Sequence, residues 1–217
     1  MTSQSTYIPA LKYNRLTKFY DFLIARFLRE KEWKSYLISS FSQSKPLEIL
    51  DIGCGTATLS LMLKSKFPFA NVTGLDGDLK ILTIAERKIE AEQADIKLVE
   101  GYSYALPFPN NHFDVVTSSL MIHHLSSKDK QRTFKEVLRV LKPGGEFNIA
   151  DWGKPNNIFV RLLFYIVQLL DGFTTTRDNV KGLLPHYLIE NGFVNVTELK
   201  KFNTILGSLS IYKSFKF

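Results

Sequence analysis

The stretch LEILDIGCGTATLS, residues 47–60, places an acid two positions before the first of two glycines, with the chain's single cysteine between those glycines. Three chemistries compete for it: a nucleotide-binding turn, a metal or thiol site at Cys54, and a tight corner with no chemistry. Gly53 and Gly55 permit positive φ and let a ligand approach the backbone. The dinucleotide fingerprint wants a third glycine where Thr58 stands, and the P-loop lysine is missing, so a phosphate cradle is disfavoured. A carboxylate at Asp51 can instead accept hydrogen bonds, directly or through water, from an ammonium group or a ribose. Asp76 ends the next apolar run, the place from which an acid takes two ribose hydroxyls. Two acids and two glycines suit a nucleoside that carries an amino acid. Cys54 lacks any companion ligands and reads as a small buried side chain.

A second group of reactive side chains lies further on. His123 and His124 follow the run FDVVTSS, and Asp151 with Trp152 closes the run EFNIA. A neutral imidazole can take a proton near pH 7. His123, His124 and Asp151 are therefore the candidate proton acceptors, set against the alternative that they cap or pack against neighbouring elements. No metal site is expected, because one cysteine excludes a multi-cysteine zinc site and an intramolecular disulfide alike.

Positioning these groups requires a sheet. Strand-like runs at Leu47–Ile52, Asn71–Leu75, Ile96–Val99, Phe113–Ser119 and Glu146–Ala150 alternate with helical patterns at Thr58–Lys66, Asp78–Ala91 and Ser126–Leu141, the last stopped by LKPGG. Short apolar strands separated by helices predict a doubly wound, Rossmann-like α/β fold with a mostly parallel sheet. After a helix at Leu183–Asn191, FVNVTEL and TILGSLSIYKSF lie too close together for a helical crossover and must pair as an antiparallel hairpin, giving seven strands. Leu16–Phe41 carries apolar residues at helical spacing, so residues 1–45 read as an N-terminal helical cap and 46–217 as the main domain. Within it, about 153–181 is too long for an ordinary loop and reads as a lid insertion.

Four ordered stretches, DIGCGTA, VTGLD, ALPFPNNHFDVV and VLRVLKPGGEFNIADW, together resemble the successive motifs of class I S-adenosylmethionine-dependent methyltransferases, nearest the ubiquinone/menaquinone C-methyltransferase-like group. The resemblance is strong over residues 47–152 and weak at the flanks. It implies S-adenosylmethionine as cofactor, with S-adenosylhomocysteine as product. Carried over by position, it sets Gly53, Gly55 and Thr56 against the methionine part of the cofactor with Asp51 near its amino group. Asp76, followed by Gly77, matches the ribose-binding acid. Gly101, Tyr102 and Ser103 would face the adenine, and Ser119 would lie under the methionine end. Tyr102 departs from the acid or Asn that the family often carries there, which puts the side-chain bond to the adenine amine in question.

In related proteins the N-terminal helix and the long insertion cover the cofactor and choose the acceptor, which points here to Tyr20, Trp152, Phe164, Asp171 and Arg177 as lid residues. Their apolar content argues for a small apolar or amphiphilic acceptor. The formal charge of +7 leaves open a nucleic-acid or protein acceptor, but the basic residues are scattered and no interleaved basic and aromatic platform is present. A catalytically silent cofactor-binding module is the other alternative. The most apolar segment, IFVRLLFYIVQLL, is too short to cross a bilayer and contains Arg161 and Gln168, so contact with a membrane surface stays open while a span does not. A polar start without an apolar signal core, and the lone cysteine, make cytoplasm the default compartment. Oligomeric state is not legible from these residues.

Overall fold

The computed structural model describes residues 29–42, 45 and 48–217. Its centre is a seven-stranded sheet of order β3-β2-β1-β4-β5-β7-β6. β1 (Glu48–Ile52), β2 (Asn71–Asp76), β3 (Ile96–Glu100), β4 (Phe113–Ser119) and β5 (Leu141–Trp152) run parallel, while β7 (Ser208–Lys216) pairs antiparallel with β5 and β6 (Phe193–Asn203) pairs antiparallel with β7 at the edge. Strand order reverses between β1 and β4. Their carboxyl ends therefore open the crevice in which doubly wound folds bind ligands.

The helices form where the apolar spacing requires them, and some of them carry side-chain caps at their N-termini. α1 (Glu30–Ser39) buries Trp33, Leu37 and Ile38. α2 (Thr58–Lys66) buries Leu59, Ser60 and Leu63. Asp78 caps α3 (Leu79–Ala91) by accepting the Lys80 amide at 2.9 Å, and Ser126 caps α4 (Ser127–Val140) by accepting the Asp129 amide at 3.1 Å. The two outer layers rest on alternate residues of the same strands. Ile49 of β1 joins Trp33, Leu59, Val72 and Trp152 on one face, and Leu50 and Ile52 join Phe134, Val137 and Phe147 on the other. Asp51 shares the Ile49 face and so points beneath α1 and α2.

Two boundaries differ from the sequence reading. β5 begins at Leu141, not Glu146, because Leu141 pairs with Phe113 before the chain bulges through Gly144, at φ 75°, and resumes pairing at Glu146. The insertion after β5 is two helices, α5 (Ile158–Asp171) and α6 (Phe173–Lys181), followed by α7 (Leu184–Glu190). Tyr20, most of the proposed N-terminal cap and the start of its helix lie outside the described residues. No helix among the described residues is long and apolar enough to cross a membrane.

Candidate functional site

At the end of β1 the chain turns through Gly53 at φ 67° and Gly55 at φ 55°, then enters α2 through Ala57, also left-handed at φ 59°. The two glycines answer different needs. A Cβ at Gly53 would sit 2.3 Å from Met121 Cγ, so the turn is packed closely against the loop after β4. A Cβ at Gly55 would meet nothing within 4 Å among the described residues, so none of them crowds this backbone. Cys54 is buried between them, its Sγ against Gly74, and burial pushes its thiol far above the usual range. It is packing, not a nucleophile.

Asp51 is fully buried. Its Oδ2 accepts a hydrogen bond from Ser60 Oγ at 2.7 Å, while its Oδ1 has no hydrogen-bond partner among the described residues. Burial raises its pKa from 3.8 to about 6, against the Ser60 bond and the charge of Lys34. A buried carboxylate oxygen without a donor is costly unless a cationic or hydroxylic group completes it. Asp76 accepts the Gly55 amide at 2.9 Å on Oδ2 and the Asp78 amide at 3.0 Å on Oδ1. Burial raises its pKa, and these amides work against the rise. The acid at the end of β2 thus fixes the glycine turn at the end of β1.

Beyond β3, the Tyr102 ring covers Gly77, where a Cβ would approach its Cε1 to 2.9 Å, and it stacks on Tyr104 with centroids 5.3 Å apart. Ser103 turns its hydroxyl inward to Thr133 Oγ1 at 2.9 Å, so only its backbone remains to face the crevice. Thr56 lies on the glycine turn with its Oγ1 3.5 Å from Thr58 Oγ1, and Ser119 is half-buried at the end of β4.

Across the switch point a titratable cluster forms. His123 is buried in a short 3-10 turn (Ile122–His124), with Nδ1 2.7 Å from Asp151 Oδ1 and Nε2 3.5 Å from Asp171 Oδ2. Burial alone would lower its pKa, but Asp151 and Asp171 outweigh burial and raise it to about 9. At neutral pH His123 is an imidazolium held between two carboxylates. Burial, followed by the His123 charge, lowers the pKa of His124, whose ring centroid is 4.0 Å away, to about 4. His124 is the neutral imidazole of the pair. Asp171, which burial would raise, is held below the usual range by its bond to His123.

Asp151 Oδ1 also accepts from the Trp152 amide at 2.6 Å, and Asn179 Nδ2 donates to Trp152 O at 2.9 Å. Ligand atoms of His123, His124 and Asp171 lie within 4.8 Å of one another, and two imidazoles and a carboxylate could hold a metal ion. Each ring nitrogen of His123 already has a carboxylate partner, so the cluster is also complete as a proton-bridged network.

Of the sequence-predicted lid residues, Trp152 and Phe164 are buried edge to face, 5.4 Å between centroids, and the Trp152 ring is 6.3 Å from that of His123. Arg177 projects from α6 with an exposed side chain, its Nε 3.8 Å from Asp178 Oδ1. Asp171 does reach the histidines. Sequence reasoning missed Ser60, Met121, Lys130, Asp178 and Asn179. Lys130, fully buried, donates to Thr175 O at 2.5 Å and lies 3.3 Å from Asp178 Oδ2, tying α4 to α6. A charged residue on the apolar stripe of α4 was the available signal for it.

A family described as "Methyltransferase domain" matches residues 49–145. A demethylmenaquinone methyltransferase of Thermus thermophilus is 34% identical over 138 residues, 63% of this chain and 62% of that protein. One from a Geobacillus species is 31% identical over 157 residues, 70% of this chain and 66% of its own length. The chain thus spans a little under two thirds of these relatives. Among solved structures, a possible histamine N-methyltransferase from Thermotoga maritima superposes with a TM-score of 0.70 at 16% identity, covering 94% of this chain and 97% of that one. A phosphoethanolamine N-methyltransferase 2 from Haemonchus contortus, solved with S-adenosylhomocysteine, gives 0.69 at 16% identity over 85% of this chain and 52% of its own. At such identities the structures share the fold. The matched domain contains the glycine turn, both acids and the histidine pair, and over those residues the chain is similar to methyltransferase domains.

Proposed function

We propose that this chain is an S-adenosylmethionine-dependent methyltransferase that acts on a small, apolar or amphiphilic acceptor of the quinone type by direct displacement. The observation that carries the cofactor is Asp51. A fully buried carboxylate with one oxygen unpartnered among the described residues, beside a glycine turn that none of them crowds, suits an amino-acid ammonium and no phosphate. In this reading Gly53, Gly55 and Thr56 border the amino-acid end, Asp76 and Gly77 the ribose, Tyr102 and the Ser103 backbone the adenine, and Ser119 the reacting end. When bound, the cofactor supplies a methyl group on a positively charged sulfur. The chain's own contribution is alignment, exclusion of water and proton handling. His123, ionised and pinned by Asp151 and Asp171, orients the cluster. His124, neutral at pH 7, can accept a proton from an acceptor hydroxyl, and Asp171 lies close enough to favour the imidazolium that results. The quinone class of acceptor is suggested by the name of the Thermus and Geobacillus relatives. Residues 153–181 act as the cover on that side, through Asp171 and Asn179.

Calorimetric titration with S-adenosylmethionine tests the reading. We expect binding in the micromolar range, lost in Asp76→Ala while circular dichroism stays native. No binding by the wild-type chain would overturn it.

A further inference from the structure

α5 presents an unusual surface. Ile158, Phe159, Leu162, Leu163, Tyr165, Ile166, Leu169 and Leu170 are all exposed, between 41% and 75% of their area, and Phe173 continues the patch at 50%. At 3.6 residues per turn they occupy one uninterrupted arc of roughly 160°, while Val160, Phe164, Val167 and Gln168 bury the opposite side. The Thr204–Gly207 turn packs on this helix, since a Cβ at Gly207 would touch Phe164 Cδ2 at 2.6 Å, and it adds Ile205, 52% exposed. Soluble monomers rarely leave so many large apolar side chains contiguous in water.

The charge around the patch identifies its partner. Between residues 153 and 182 the cations are Lys154, Arg161, Arg177 and Lys181, and the only acids are Asp171 and Asp178, whose side chains are 10% and 1% exposed and held internally by His123 and Lys130. The exposed charges of this segment, Lys154, Arg177 and Lys181, are thus all positive, while the half-buried Arg161 guanidinium lies 4.1 Å from the Tyr165 ring centroid. Residues 1–28 carry Lys12, Arg15, Lys18 and Arg26 against Asp21, the same sign, so they do not complement the rim electrostatically. The formal charge of the chain is +7, which disfavours a second copy for the same reason. At 14 residues α5 is about 21 Å long, too short for a span and suited to lying in an interface with its apolar side in the acyl boundary and its cations at the headgroups.

We propose that α5, with the adjoining β6–β7 turn, docks this protein on an anionic lipid bilayer surface. α5 ends at Asp171, in contact with His123, so docking would bring the lipid phase to the edge of the candidate site. The surface is read from α5 and its charges and stands whatever the acceptor is.

The test is flotation of the full chain with vesicles of phosphatidylcholine mixed with phosphatidylglycerol and with vesicles of phosphatidylcholine alone. We expect binding to the mixed vesicles, at least about tenfold weaker on phosphatidylcholine alone and weakened by salt. Leu162→Asp with Leu169→Asp, both at exposed positions, should keep the native melting transition and lose at least about tenfold in partitioning. Lys154→Glu with Lys181→Glu should remove the preference for anionic vesicles. Failure of the full chain to float with mixed vesicles, as would follow if residues 1–28 covered α5, overturns the proposal. So does equal flotation of the leucine variant, or a concentration-dependent dimer abolished by that variant. S-adenosylmethionine titration of the same samples reports on the cofactor reading separately.

Discussion

Replacing Asp51 with Asn should stabilise the free protein at neutral pH and weaken its hold on the cofactor. The carboxyl is fully buried, one oxygen is bonded to Ser60 and the other meets no donor among the described residues, and its pKa stands at about 6 instead of 3.8. At about 1.4 kcal/mol per unit, keeping this group ionised at pH 7 costs the fold about 3 kcal/mol. The sign follows from the direction of the shift. A carboxyl raised on folding binds more protons in the native state, so stability falls as pH rises from 3.8 to about 6 and stays reduced above. Asn keeps an acceptor for Ser60 but brings an amide to satisfy, which offsets about 1–2 kcal/mol of the gain. The net of about 1–2 kcal/mol should raise Tm by roughly 2–8 °C in a chain of this size. Thermal unfolding near neutral pH and again at about pH 4, where the native carboxyl is protonated, should show the gain at the first and its disappearance at the second. Calorimetry should show cofactor affinity reduced roughly ten- to hundredfold, the loss of a charged hydrogen bond. An Asn variant that melts below the wild type at neutral pH, or differs from it equally at both pH values, would refute the reasoning.

His123→Gln leaves Asp151 and Asp171 without the cation between them, and chemical denaturation should report a loss of about 3–5 kcal/mol. Because its pKa is raised to about 9, the stabilisation from His123 should be complete below about 6.5 and disappear as pH climbs through about 9, a slope the variant should lack. His124→Gln should leave S-adenosylmethionine affinity unchanged and, for an acceptor that must lose a proton, lower kcat roughly a hundredfold; unchanged kcat would remove His124 as the proton acceptor.

The sheet was legible because its signals are local. Thr58–Lys66 and Phe113–Ser119 appear at the boundaries the sequence predicts, since apolar spacing and glycine and proline punctuation act within a few residues. Asp51 and Asp76 were legible as a pair because a parallel β1–β2 pairing brings two strand ends together, here with Asp51 opposite Gly74. The start of β5 was not, because its first residue pairs across a bulge that only β4 defines. The burial of Phe164 against Trp152 was not legible, because an apolar insertion has the same composition whether it covers a ligand or seals a core.

By itself, the sequence determined a doubly wound domain with a glycine turn between two acids and a histidine pair after β4, since each follows from side-chain type and short-range spacing. Only the tertiary structure decided how protons and charge are distributed. Asp51 Oδ1 has no donor among the described residues because Ser60 supplies one where two oxygens are buried. His123 is a cation and His124 is not because Asp151, from β5, and Asp171, from the end of α5, converge on one ring and not on the other. Ionisation depends on what lies within a few ångströms, and those neighbours come from distant parts of the chain.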